Sequence, residues 1–346
     1  MSTNAHEAGP ALRCAALGLL LVCAGAAAQP AVPALLPGQL ALVVNDDDPN
    51  SVQIGAYYQQ ARGIPAGNLV HVRIADRPRK LGAQQFAVLK KQIERQLKPE
   101  IQAVLMLWTT PYAVECNAIT AAYTLGFNPG VCAQPCGPGQ PSSYFNAGPG
   151  LPHEAYKMRL SMLLPTDSLP LARALIDRGV SAGFRMPEAS AYYLWTSETA
   201  RNSRAPLFPP AGRIPARKLT IRRQRADVLE GAADVMVYQT GMATVDKLAT
   251  LRFEPGALAD HLTSYGGDLL GTEQMSSLRW LEAGATASYG SVSEPCNYWQ
   301  KFPQPSVLLK HYLSGDSAIE AYWKSVAWPA QGLFIGEPLA TPYPRR

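Results

Sequence analysis

Two stretches of this chain gather residue types that could do chemistry. Asp46, Asp47 and Asp48 follow directly on an apolar run. Carboxylates at the end of a strand could hold a hard cation by oxygen ligation, with Asp46 and Asp48 as ligands. The competing reading is a polar turn in which one Asp caps the next helix, because three adjacent acids cannot all point at one ion. Farther along, Glu294 and Cys296 sit in SVSEPC, and His261 sits in ADHLTSYGG. A thiol nucleophile needs a base to make the thiolate, and His261 could supply it. Asp260 is the neighbour of His261, and adjacent strand residues point to opposite faces, so Asp260 would not orient it. A hydrogen-bonded structural histidine and a disulfide-bonded Cys296 account for the same residues.

Cys116, Cys132, Cys136 and Cys296 remain once the N-terminal segment is set aside. An even number fits disulfides in an oxidising compartment, and three pairings stay open. Cys132 and Cys136 bracket AQP in a Gly/Pro-rich stretch with Cys116 nearby, which reads as a stapled insertion. Zinc ligation lacks a histidine at ligand spacing. The chain shows no Gly-rich phosphate loop, no G-x-S-x-G elbow and no H-E-x-x-H pair, so no cofactor is implied.

The elements that must position these groups alternate along the N-terminal third. Gln39 to Asp46 is a continuous apolar run, as in a buried parallel strand. A helix is expected from Pro49 to Arg62, with Val52, Ala56, Tyr57 and Ala61 on one face and Gly63 ending it. Asn68 to Ile74 is the second strand. Ala83 to Leu97 is a helix with Phe86, Leu89, Ile93 and Leu97 at helical spacing. Ile101 to Thr109 is the third strand. Residues 111–153 read as the Cys/Pro/Gly-rich insertion, and 198–218 as a linker. Strands are expected in YKMRLSMLLP, Ala191 to Ser197, Asp234 to Gly241 and ATASYGSV, and the last helices lead to GLFIGEPL. Helices are expected at Leu169 to Arg178, Thr272 to Glu282, Pro305 to Leu313 and Ser317 to Val326. The fold class that follows is α/β, a mainly parallel sheet with helices on both faces and right-handed crossovers.

The first 28 residues read as a signal peptide. A polar start ends at Arg13, an apolar run spans Cys14 to Ala28, and Ala26-Ala27-Ala28 offers small residues before Gln29-Pro30. That run is shorter than the roughly 20 residues a bilayer span needs. The expected organisation is a leader at 1–28 and one α/β domain over 29–346. No later segment reads as a transmembrane span. The chain of 346 residues carries a formal net charge of +5. Its basic residues are scattered apart from RIPARKLTIRRQR, and no nucleic-acid recognition element accompanies them.

Several blocks carry a resemblance: ALVVNDDDPNSVQIGAYYQQARGIPAGNLVHVRI, FEPGALADHLTSYGG, WLEAGATASYGSVSEPC and IGEPLATPYP. Across them the chain resembles a conserved family of exported bacterial proteins of unknown function. That likeness implies secretion, periplasmic or extracellular, and a single folded unit. The C-terminal half also resembles in layout the gingipain-type, caspase-like cysteine peptidases. In those, one strand ends in Gly-His-Gly, the next ends in the nucleophilic Cys, and a GDP motif follows. Here VMVYQTGMA takes the first place, with Gly241 and Met242 where Gly-His would stand. ALADHLTSYGG takes the second without a Cys, and Gly336 to Leu339, GEPL, takes the third. The resemblance implies that both catalytic residues are missing. The expected function is an exported caspase-like binding or surface-associated module. The alternative is a secreted hydrolase using Cys296 and His261, or the acidic site at Asp46 to Asp48.

Overall fold

The computed structural model describes residues 34–345, so the leader read over 1–28 lies outside the described residues. The first strand, β1 (Leu40–Asn45), is buried along its whole length. Asp48 then caps α1 (Pro49–Arg62): its side chain accepts a hydrogen bond from the Asn50 amide, and Pro49 occupies the first turn. Gly63 closes the helix in the left-handed conformation, at φ 64°. The buried face of α1 is Ser51, Ile54, Gly55 and Tyr58, and not the expected set, for Val52 is 42% exposed. Gly55 is the reason. A Cβ there would run into the Val44 side chain, so the helix sits down on β1 through its glycine.

The alternation continues through β2 (Leu69–Val72), the short β3 (Lys80–Leu81), α2 (Ala83–Glu94) and β4 (Ala103–Leu107). The stretch read as a stapled insertion instead contains β5 (Ala113–Val114), β6 (Asn117–Ala118), α3 (Ile119–Leu125), α4 (Pro129–Ala133) and α5 (Pro152–Tyr156). Ile119 to Tyr123 of α3 are buried, so part of this region is core and not an appendage. Next come β7 (Leu160–Leu164), α6 (Leu169–Ser181) and β8 (Ala189–Trp195). Helix α6 runs past Arg178, its expected end, through Gly179, where a Cβ would collide with the Glu337 carboxylate.

The expected linker carries β9 (Gly212–Ile214) and sends Asn202, Arg204, Ala205 and Phe208 into the interior, so it is packed chain. After β10 (Leu219–Arg225), β11 (Val235–Thr240) and β12 (Phe253–His261) comes α7 (Leu278–Ala283). This helix starts later than expected because the backbone before it is tied elsewhere: Met275 N donates to Ala243 O and Ser277 N to Gly266 O. The chain finishes with β13 (Ala287–Ser291), α8 (Pro305–Leu313), α9 (Ala318–Ser325) and β14 (Gly332–Gly336).

Among the described residues, eleven strands form one sheet in the order β2-β1-β4-β7-β14-β13-β12-β11-β8-β10-β9. Strands β3, β5 and β6 form a small second sheet. Within the large sheet, β14 is antiparallel to β13, touches β7 at Ile335 and Leu163, and β9 is antiparallel to β10. The other pairings are parallel. Two blocks repeat one pattern. The N-terminal block β2-β1-β4-β7 places its strands in the order second, first, third, fourth. The C-terminal block β10-β8-β11-β12-β13-β14 does the same and adds a fifth and an antiparallel sixth.

Helices cover both faces. Helix α1 lies on the side of Val44 and Leu107, which pair in register. Helix α3 lies on the other side, where Thr124 Oγ1 is 2.9 Å from Ser161 Oγ, a residue in register with Val104. Double coverage explains why β1, β4, β7, β11, β13 and β14 are buried at every residue. At the outer end, β9 pairs only with Leu219, Thr220 and Ile221 of β10, and Arg222 to Arg225 continue beyond it, exposed.

Candidate functional site

The two blocks bring their carboxyl-terminal loops to a common edge. Tyr112, after β4, donates its hydroxyl to Asp268, after β12. Ser293, after β13, donates to the Cys116 carbonyl at 2.7 Å. Ligands of open α/β sheets gather at such an edge.

The three aspartates after β1 part company there. Asp46 pairs with His71 Nδ1 at 2.7 Å, and Asp47 with Arg73 at 2.7 Å. Asp48, 3% exposed, uses Oδ1 for the α1 cap. Its Oδ2 makes no hydrogen bond to the described residues, and Arg77 Nε stands 3.8 Å away. Arg77 also reaches Asp167 after β7. Asp46 and Asp48 therefore have different partners in the protein, His71 for the one, the α1 cap and Arg77 for the other. The acidic run supplies a helix cap, a surface ion pair from Asp47 to Arg73 and a hydrogen-bond contact from Asp46 to His71.

His261 ends β12 and is 1% exposed. Trp280 Nε1–H donates to its Nδ1 at 2.9 Å, so Nδ1 carries no proton. Nε2 then holds the proton and donates to Met275 O at 3.0 Å. Burial pushes this imidazole down to about 3, and the nearby Arg204 and Arg201 add to the effect. Both ring nitrogens are occupied, so His261 does not serve as the base for a thiol. Asp260 points the other way, as strand alternation requires. It pairs with Arg204, both being about 1% exposed, and it also accepts from Gln239 at 3.0 Å.

Beyond His261 the loop Thr263 to Gly267 folds back over β13. Ser291 Oγ donates to Ser264 O at 2.8 Å, and Gly267 N donates to Ser291 O at 2.8 Å. A Cβ on Gly290 would strike the Gly266 and Gly267 backbone, and one on Gly267 would strike Gly290. Three glycines thus let two backbones touch, which fixes the loop with little freedom to rearrange.

The cysteines pair as Cys116–Cys132 and Cys136–Cys296. Cys296 is therefore not a free nucleophile, and Glu294 is engaged as a turn acceptor, taking the Cys296 amide at 2.7 Å. Among the described residues, Cys136, Glu294 and Cys296 are a grouping of metal-ligand types, with ligand atoms within 4.8 Å of one another. The two sulfurs are bonded to each other, so neither is a thiolate ligand.

The structure thus brings together Glu294, Cys296 and Cys136, pairs Cys116 with Cys132, and leaves His261, Asp46 and Asp48 in separate surroundings. Two further features had no sequence signal. Tyr112 and Asp268 meet across the blocks, and burial with the Asp268 contact raises the phenol above its ordinary value. Lys301, in the unremarkable run YWQKFP, is only 3% exposed. No helix among the described residues is long and apolar enough to cross a membrane. No protein-family model matches the sequence, and no curated protein and no solved structure matches it.

Proposed function

We propose that this is an exported binding or surface-associated module of caspase-like layout that lacks thiol peptidase chemistry. The reading rests chiefly on the ends of the adjoining parallel strands β11 and β12. They deliver Thr240-Gly241-Met242 and His261-Leu262-Thr263 to one edge, a pair of loops without a thiol and with its histidine buried. The strand order of the C-terminal block, with an antiparallel sixth strand, supports the layout. Two disulfides support residence in an oxidising compartment. What the edge offers is recognition: carboxylates, a phenol, Arg77, Arg201 and hydroxyls on a rigid frame. The test is hydrolysis of a fluorogenic peptide library by the unreduced protein and by protein treated with a mild reductant. No turnover is expected in either state. Turnover that disappears in Cys296→Ser or His261→Gln would replace this reading with the hydrolase.

A further inference from the structure

A cavity of about 260 Å³ lies beside the carboxyl edge, between the segment 128–140 and the residues around Lys301, Trp328 and Gln331. One water needs roughly 10–15 Å³ of such space, so the cavity admits a small organic molecule. Its Gly/Pro-rich wall is held at two points. Cys132 ties it to Cys116, and Cys136 ties it to Cys296. Gln134, Pro138 and Gln140 are exposed at the rim, which leaves a way in.

Lys301 is the unusual member. Its ammonium donates to Pro135 O at 2.6 Å and stands 5.3 Å from the Tyr298 ring centroid. No carboxylate among the described residues lies within ion-pair distance of it, Glu294 acting only from farther away. Buried charges are ordinarily paired. This one is buried, unpaired and on the wall of a cavity. A single ammonium without an arginine beside it suits a monoanion better than a phosphate, which favours several donors or a guanidinium fork. Trp328 lines the same cavity and packs on Tyr298 with ring centroids 5.4 Å apart, an apolar wall for the rest of the ligand.

We propose that this cavity is a binding site for a small organic carboxylate, its charge paired with Lys301 and its body against Trp328. The assignment does not depend on the caspase-like reading, since a peptidase with this cavity would hold the same anion.

Burial brings the Lys301 ammonium down to about 8, and Glu294 partly opposes that shift. Above that pH the cation is lost and the anion with it. Calorimetric titration with benzoate, against benzamide as the neutral isostere, tests the site in the unreduced wild-type protein. Saturable benzoate binding is expected at pH 7, with benzamide at least tenfold weaker. At pH 9.5 only about one molecule in thirty keeps the charge, so the apparent affinity falls about 30-fold. Lys301→Met, which keeps the length of the side chain, loses benzoate binding at least tenfold. Absence of benzoate binding at pH 7, equal binding of benzamide, or an affinity unchanged at pH 9.5 overturns the proposal. The wild-type pH profile decides the matter even if the variant does not fold.

Discussion

Acidification should unfold this protein partly through one imidazole. In the folded state His261 accepts the Trp280 N–H at Nδ1. A second proton on the ring would set two N–H groups against each other in a buried site. Burial, with Arg204 and Arg201 nearby, holds the folded group down to about 3, against an ordinary 6.5. Between those values the unfolded chain binds a proton that the folded one refuses. Stability from this group is complete above pH 6.5 and is lost as pH falls toward 3. At pH 5 the gap is about 1.5 units at roughly 1.36 kcal/mol each, so about 2 kcal/mol is lost relative to pH 7. The assay is urea unfolding at pH 7 and pH 5, for wild type and His261→Gln. The variant starts less stable but lacks the titration. Wild type should lose about 2 kcal/mol more than the variant across that interval. Parallel losses in the two proteins would refute the assignment of tautomer and burial on which the figure rests.

The two disulfides should differ in worth. Cys136–Cys296 spans 160 residues and Cys116–Cys132 spans 16. Loop-closure entropy gives about 5 kcal/mol for the first and about 3 for the second. Paired Cys→Ser variants in urea should show that order, and equal or reversed losses would count against the entropic account. Arg204→Met leaves Asp260 buried without its cation and should cost about 3–5 kcal/mol. Adding Asp260→Asn should recover part of that in the same unfolding assay, whereas a single-variant loss under about 1 kcal/mol would mean the carboxylate finds another partner.

The sequence carried the N-terminal alternation well because its signals are local. Apolar runs mark β1 and β4, Asp48 and Gly63 cap α1, and Phe86, Leu89 and Ile93 give α2 its stripe. The misreadings come from long-range contacts. Val52 looked inward by spacing, yet Gly55 faces β1 because closeness to Val44 outweighs side-chain hydrophobicity there. The seven residues of α3 are too few to show a period and lie among glycines, prolines and cysteines. Arg204 falls in the stretch read as a linker, and its partner Asp260 is 56 residues away. The same holds for the candidate site. Type and spacing picked out Glu294 and Cys296, while the pairing with Cys136 and the burial of Lys301 arise only when distant segments converge.

The short outermost strand has one more consequence. Because β9 covers only three residues of β10, the backbone of Arg222 to Arg225 is an open rim among the described residues. An open rim invites a further strand, and the readiest donor at high concentration is another copy of the same chain. Two such rims laid side by side would set the exposed Arg222, Arg223 and Arg225 of each against those of the other, and like charges directly opposite are destabilising. The arginines thus act as a bumper. Their charge opposes growth of the sheet at a place where hydrogen bonding alone would let it continue.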